Sequence, residues 1–370
     1  MIPAFAPRPS PHGTLVLLLA LLVVLAGCAE TRHVMRYGVE EWRAERRPFW
    51  PTPPERPRYS FAGQLIGWEN FPIVEEDRQQ KGKQVLTWLV GLDPETGLGR
   101  REDESKGLQR PQTGMVDAEG RILVTDSGQN VVMVFDEAAG KLFTWEAASK
   151  REKFVSPVGI APGPDRSVFV ADSELKRVFR LNRDGEPLGE WGAGLLQRPT
   201  GLARDPERKV LYVADSQSDN IRMFSDEGTL LETIGSPGSA PGAFNGPTHV
   251  AFANQRLYVA DTLNARVQVF DVRGKYLFSF GERGIRVGNM VRPKGVAVDG
   301  EGNIYVVESL HDHLLVFDKE GRFLLPIGGT GKEVGQFYLP SGVWVDKRGR
   351  VFVADMFNGR VKILQFLGGS

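Results

Sequence analysis

The sequence predicts an all-β protein: a six-bladed β-propeller of four-stranded antiparallel blades, its last blade closed by a strand from the N-terminal part of the chain. Three observations predict it. A stretch of the form "LYVADTLNARVQVF" (257–270), two short apolar runs on either side of an acid, recurs six times. The acids lie 43–47 residues apart, the period of a propeller or repeat array, which overrides the two or three domains that 370 residues would otherwise suggest. After "VKILQFLGGS" no further run follows, so the sixth copy lacks a fourth strand of its own.

The elements follow in chain order. Residues 1–27 read as a secretory signal peptide outside the fold. Arg8 and His12 precede the apolar run "TLVLLLALLVVLAG" (14–27), too short to span a bilayer comfortably. It ends in Leu25-Ala26-Gly27-Cys28, which resembles the lipobox of bacterial lipoproteins, and Cys28 is the single cysteine. The alternative is a plain secretory signal with an incidental cysteine. The resemblance implies lipidation at Cys28, leaving no thiol for a disulfide, and membrane attachment through acyl chains, each buried CH₂ contributing roughly 0.8 kcal/mol. Ala29 then implies the outer membrane of a bacterial cell envelope, facing the periplasm. Residues 28–58 read as a tether, because "WRAERRPFWPTPPERPR" (42–58) carries five prolines and five arginines and favours an extended, solvated chain.

The propeller is expected over 59–370. "YSFAGQLIG" (59–67) reads as a strand without an assigned place. "VLTWLVG" (85–91), an apolar run with no unit of its own, is expected as the outer strand that closes the last blade. The six acids are Asp126, Asp172, Asp215, Asp261, Glu308 and Asp355, and the units start near Pro111, Pro157, Pro199, Pro247, Pro293 and Pro340. Four units have glycine two residues after the proline; Thr113 and His249 stand there in the others. Within the fifth unit, four strands are expected at "GVAVD", "IYVVE", "HLLVF" and "FLLPIG", joined by the turn sequences "DGEG" and "DKEG". The second run is apolar on both faces, as in a sheet sandwiched between neighbours. No unit could bury enough surface alone, so the six must close on one another.

These units resemble NHL repeats, and residues 85–364 resemble the six-bladed NHL propellers of extracytoplasmic bacterial proteins. The shared proline, acid and strand spacing carry the likeness. It implies a binding or interaction scaffold for a protein, peptide or glycan, more readily than an enzyme. The other reading is an extracytoplasmic metal-dependent lyase or hydrolase with a site at the propeller axis.

Six acids at one equivalent position suit a turn, where a carboxylate accepts backbone N–H bonds. A ring of carboxylates binding Ca²⁺ is the functional alternative. Arg177, Arg266 and Arg360 each follow their acid by five residues, which suggests local pairing or a cationic ring for an anionic ligand. His311 and His313 lie just beyond Glu308, and with His249 they are the candidates for a Zn²⁺ site. No cofactor is otherwise expected. The longer inter-blade loops 91–110, 148–156, 192–198, 235–246, 281–292 and 328–339 share a face with the segments after the acids, and this is the expected ligand-binding face. "GSPGSAPGAFNG" and "GGTGKEVGQF" precede no phosphate-binding lysine or helix. Charge excludes a nucleic-acid footprint: without Arg8, 45 basic residues face 46 acidic ones.

Overall fold

The computed structural model describes residues 33–39, 47–72 and 107–368, and all of these except His33 belong to one compact unit. Six antiparallel sheets are present. Blade 1 comprises Pro111–Val116, Ile122–Asp126, Val131–Asp136 and Lys141–Trp145. The first strands of the six blades are Pro111–Val116, Pro157–Pro162, Pro199–Asp205, Pro247–Ala253, Pro293–Val298 and Val343–Val345. Each touches its neighbour in turn, the sixth meeting the first, so they surround a central axis. This is a six-bladed propeller. None of the helices among the described residues is long and apolar enough to cross a membrane.

Packing follows from where each strand sits. The second strand of blade 2, Val168–Asp172, is buried at every position because a blade covers each of its faces. Fourth strands face outward, and Leu230–Ile234 exposes its three central residues. The core lies between blades: Tyr212, Phe244, Val259 and Phe270 form one such layer across blades 3 and 4. Each large buried side chain contributes about 1.5–3 kcal/mol, and every layer needs two blades to exist. Near the axis the first strands approach so closely that a Cβ at Gly201 would stand 2.6 Å from the His249 Cα. Glycine two residues after the proline is therefore a packing requirement there.

The acid-side hairpins share one geometry. In every blade the acid pairs in register with the residue five further on, for example Asp126 with Val131 and Asp261 with Arg266. The residue four after the acid has positive φ in each: Asn130, Lys176, Asp219, Ala265, Asp312 and Gly359.

Closure of the ring differs from the sequence reading in its strand, not in its principle. Tyr59–Leu65 pairs antiparallel with Arg360–Phe366, placing Phe61 opposite Leu364. Phe49–Trp50 adds a short edge beyond it. The seat given to 85–91 is thus occupied by 59–65, the strand that had no place, while 85–91 lies outside the described residues. The physical reason is visible in the burial of Tyr59–Leu65, which alternates strictly between buried and half-buried positions. An outer strand reads by alternation, whereas the run at 85–91 is apolar apart from Thr87 and Gly91. The Tyr59 hydroxyl lies 3.1 Å from that of Tyr305, which donates to Asp299 at 2.8 Å, so the clasp is also bonded to blade 5.

The tether assigned to 28–58 needs the same correction in its described parts. Met35 and Val39 are buried, the Gln64 N–H donates to the Tyr37 carbonyl at 2.9 Å, and Phe49–Trp50 is paired. Prolines and arginines hid a few apolar side chains that dock on blades 5 and 6, and on blade 1 through Met35.

Candidate functional site

In blades 1–5 the first-strand proline pairs with the acid of its blade, as Pro199 does with Asp215 and Pro293 with Glu308, and in blade 6 the Tyr338 N–H just before Pro340 donates to Asp355. The loops arriving from the previous blade therefore share a face with the loops after the acids. The six acids are fully buried on this face. Asp126 accepts N–H bonds from Gln109 and Arg110, just before the blade's proline, and from Gly128 and Gln129 in its own loop. Asp172 is bonded alike by Val155, Ser156, Glu174 and Leu175. Asp215 accepts from Gln197, Arg198 and the Ser218 hydroxyl. Asp261 and Asp355 accept one incoming N–H each, from Asn245 and Tyr338, and side-chain bonds from Asn264 and Asn358. Glu308 takes N–H bonds from Val291, Arg292 and His311. Each carboxylate ties the incoming loop to the loop between the second and third strands through short, strong hydrogen bonds.

The arginines divide. Arg266 and Arg360 contact Asp261 and Asp355 through Nε, each at 2.8 Å. Arg177 bridges Glu152 and Glu190, at 2.7 and 2.8 Å, rather than Asp172. All three are engaged in ion pairs, so their charge is neutralised locally and the expected cationic ring does not form.

The histidines divide too. His311 Nδ1 lies 3.1 Å from Glu308 Oε2. His311, His313 and Glu308 line a recess of about 250 Å³ together with Ile285, Val287 and Leu310. His249 does not line this recess; it sits on the first strand of blade 4, opposite Ala260. Burial, followed by the positive charge of Lys294, lowers its pKa to about 4. Among the described residues no three His, Cys, Asp or Glu side chains come together as metal ligands. A zinc site built from His249, His311 and His313 does not fit, since one member stands apart beside a cation and another is bonded to Glu308. The six acids do not fit a calcium ring either, because backbone donors already occupy their oxygens.

Several features escaped the sequence reading. An apolar residue three before each proline is buried as a loop anchor: Leu108, Phe154, Leu196, Phe244, Met290 and Phe337. Comparing the six loops position by position would have found it. The residue two after each acid is exposed in every blade. It is Gly128, Glu174 and Gln217 in blades 1–3 but Leu263, Leu310 and Phe357 in blades 4–6, about half exposed at 51%, 49% and 52%. Ile285 at 90%, Val287 at 65% and Tyr338 at 44% extend this arc from neighbouring loops. Val155 at 47% and Leu195 at 44% are also exposed, on the loops entering blades 2 and 3, so apolar side chains are densest over blades 4–6 without being confined to them.

This architecture and loop-rich face place the chain among six-bladed propellers. A family described as 6-bladed beta-propeller matches residues 296–367. The chain is similar to a gluconolactonase of Zymomonas mobilis, 31% identical over 150 residues; the match covers 36% of this chain and only 40% of that relative's length. A gluconolactonase structure from Xanthomonas campestris superposes with a TM-score of 0.56 at 16% identity, over 70% of this chain and 86% of that one. A streptogramin B lyase gives 0.52 at 16% identity, over 69% and 79%. A virginiamycin B lyase from Staphylococcus aureus gives 0.52 at 13% identity, over 70% and 96%. At such identities these structures share the fold alone.

Proposed function

We propose that this protein is a lipid-anchored NHL-repeat propeller of the bacterial cell envelope, held to the membrane at Cys28, that binds a protein or peptide partner through the acid-side face. One observation carries the binding reading: the arc of Leu263, Leu310, Phe357, Ile285, Val287 and Tyr338, exposed on and between blades 4, 5 and 6 of that face. Contiguous exposed apolar side chains rimmed by polar ones mark interaction surfaces. The rigid ring keeps them in place without help from the partner. The repeated proline-and-acid signature supports the NHL assignment, and Leu25-Ala26-Gly27-Cys28 supports the anchor. A glycan would favour the aromatic end of the arc, Tyr338 and Phe357, whose rings meet at 5.7 Å.

The test is affinity capture from envelope extracts, after crosslinking in cells, with the wild type and the variant L263S/L310S/F357S. The variant is expected to fold with an unchanged melting temperature and to lose the crosslinked partner. Retention of that partner would refute the reading.

A second reading, hydrolase or lyase activity, draws on the recess where Glu308, His311 and His313 meet and on the likeness to gluconolactonase. Lactone hydrolysis by the purified chain, abolished in His313→Ala, would support it.

A further inference from the structure

Arginine alternates around the ring. In blades 2, 4 and 6 it stands five residues after the acid, as Arg177, Arg266 and Arg360, and is consumed in ion pairs. In blades 1, 3 and 5 it stands immediately before the first-strand proline instead, as Arg110, Arg198 and Arg292. There only its backbone is used: the N–H donates to Asp126, Asp215 and Glu308 respectively, and the carbonyl accepts from Ser127, Ser216 and Ser309. All three side chains are exposed, and among the described residues none of their guanidinium groups has an ion pair or hydrogen bond. Alternate blades of a six-membered ring are a third of a turn apart. Each arginine sits where the chain turns from an inter-blade loop into the strand beside the axis. Three unpaired cations therefore stand a third of a turn apart on the acid-side face, each at the entry to a strand beside the axis.

A fourth lies within. Lys294 follows Pro293 on the first strand of blade 5, next in the chain but one to Arg292. Burial and then the like charge of Arg292 lower its pKa, and no opposite charge offsets them. The equivalent residues in the other blades are Gln112, Val158, Thr200, Thr248 and Ser341. A neutral side chain thus satisfies the fold five times in six, and a lysine there carries a desolvation penalty with no structural return. The same holds for the arginines, whose counterparts are Ser156, Gly246 and Leu339. The six carboxylates at this level cannot cancel the cations by contact, since they are fully buried and saturated with donors.

We propose that the axial opening of this face binds a compact anion carrying two or more carboxylate or phosphate groups, held by Arg110, Arg198 and Arg292 with Lys294 beneath. Guanidinium groups match carboxylate and phosphate oxygens in bidentate fashion, and like charges arranged around one end of the axis focus the field on one anion. This site is independent of the apolar arc. The partner reading can fail while this one stands.

Titration calorimetry of the full-length chain with citrate and with inorganic pyrophosphate, at constant ionic strength, tests it. One saturable site is expected for at least one of them, and the preferred anion tells carboxylate from phosphate chemistry. R110Q/R198Q/R292Q should weaken binding at least tenfold and K294Q severalfold, each with an unchanged melting temperature. Lys347→Gln, on the opposite face, should bind as the wild type does. Absence of saturable binding for both anions, or equal affinity in the triple variant, would overturn the proposal.

Discussion

Asp126 illustrates what one buried carboxylate does for a blade: four backbone N–H groups from two separate loops converge on it. Asp126→Ala leaves these donors without their acceptor and should lower unfolding stability by roughly 2–4 kcal/mol in urea titration. Lys362 makes the opposite case. It is buried beside the Phe337 ring, with Nζ donating to the Glu333 and Gln336 carbonyls. Burial, then the neighbouring Arg360 charge, lowers its pKa to about 7. The unfolded chain then binds more protons than the folded one between about pH 7 and the ordinary lysine value. This group's contribution to stability therefore rises with pH across that window, and its penalty is fully present below it. Blade 4 places the neutral Gln268 in the matching role, bonded to Ala243 and Gly242. Lys362→Gln should accordingly raise stability at pH 6 by at least ~1 kcal/mol and flatten the rise, as thermal melts across pH would show. The acids were legible in the sequence because they occur six times. The partners of Arg177 were not, because Glu152 lies on an inter-blade loop far away along the chain.

At the scale of elements, the repeated strands were legible from their apolar runs, and the tight turns from Asp and Gly. The clasp was legible only as a need. Tyr59–Leu65 fills it through alternate buried side chains, and Phe61 lies between blades 5 and 6 with Tyr305 and Val353 in its layer. Phe61→Ala should reduce stability by about 3–5 kcal/mol, and Tyr59→Phe by about 1 kcal/mol through loss of the Tyr305 bond. Both are measurable as shifts in melting temperature. In the sequence the inter-blade loops look like variable binding segments. Their buried anchors, Phe244 and Phe337 among them, show that each loop is fixed at its inner end and offers only its tip to a ligand. That tip is where Ile285 and Val287 stand exposed.

Across the whole molecule, repetition dictates the ring and departures from repetition mark the places to which function can be assigned. The sequence made the first plain and concealed the second, since an exposed leucine in a loop has significance only when its five counterparts can be compared in space. Leu263, Leu310 and Phe357 become one surface because blades 4, 5 and 6 are adjacent. The histidines singled out by their chemistry turn out to be divided between the axis and the recess. The most direct measurement is site-specific photo-crosslinking in cells, with a photo-reactive amino acid at position 310 on the apolar arc or at position 347 on the opposite face. A discrete crosslinked partner from position 310 and none from position 347 is the predicted result. Equal crosslinking from both positions, or a partner captured only from 347, would contradict the account.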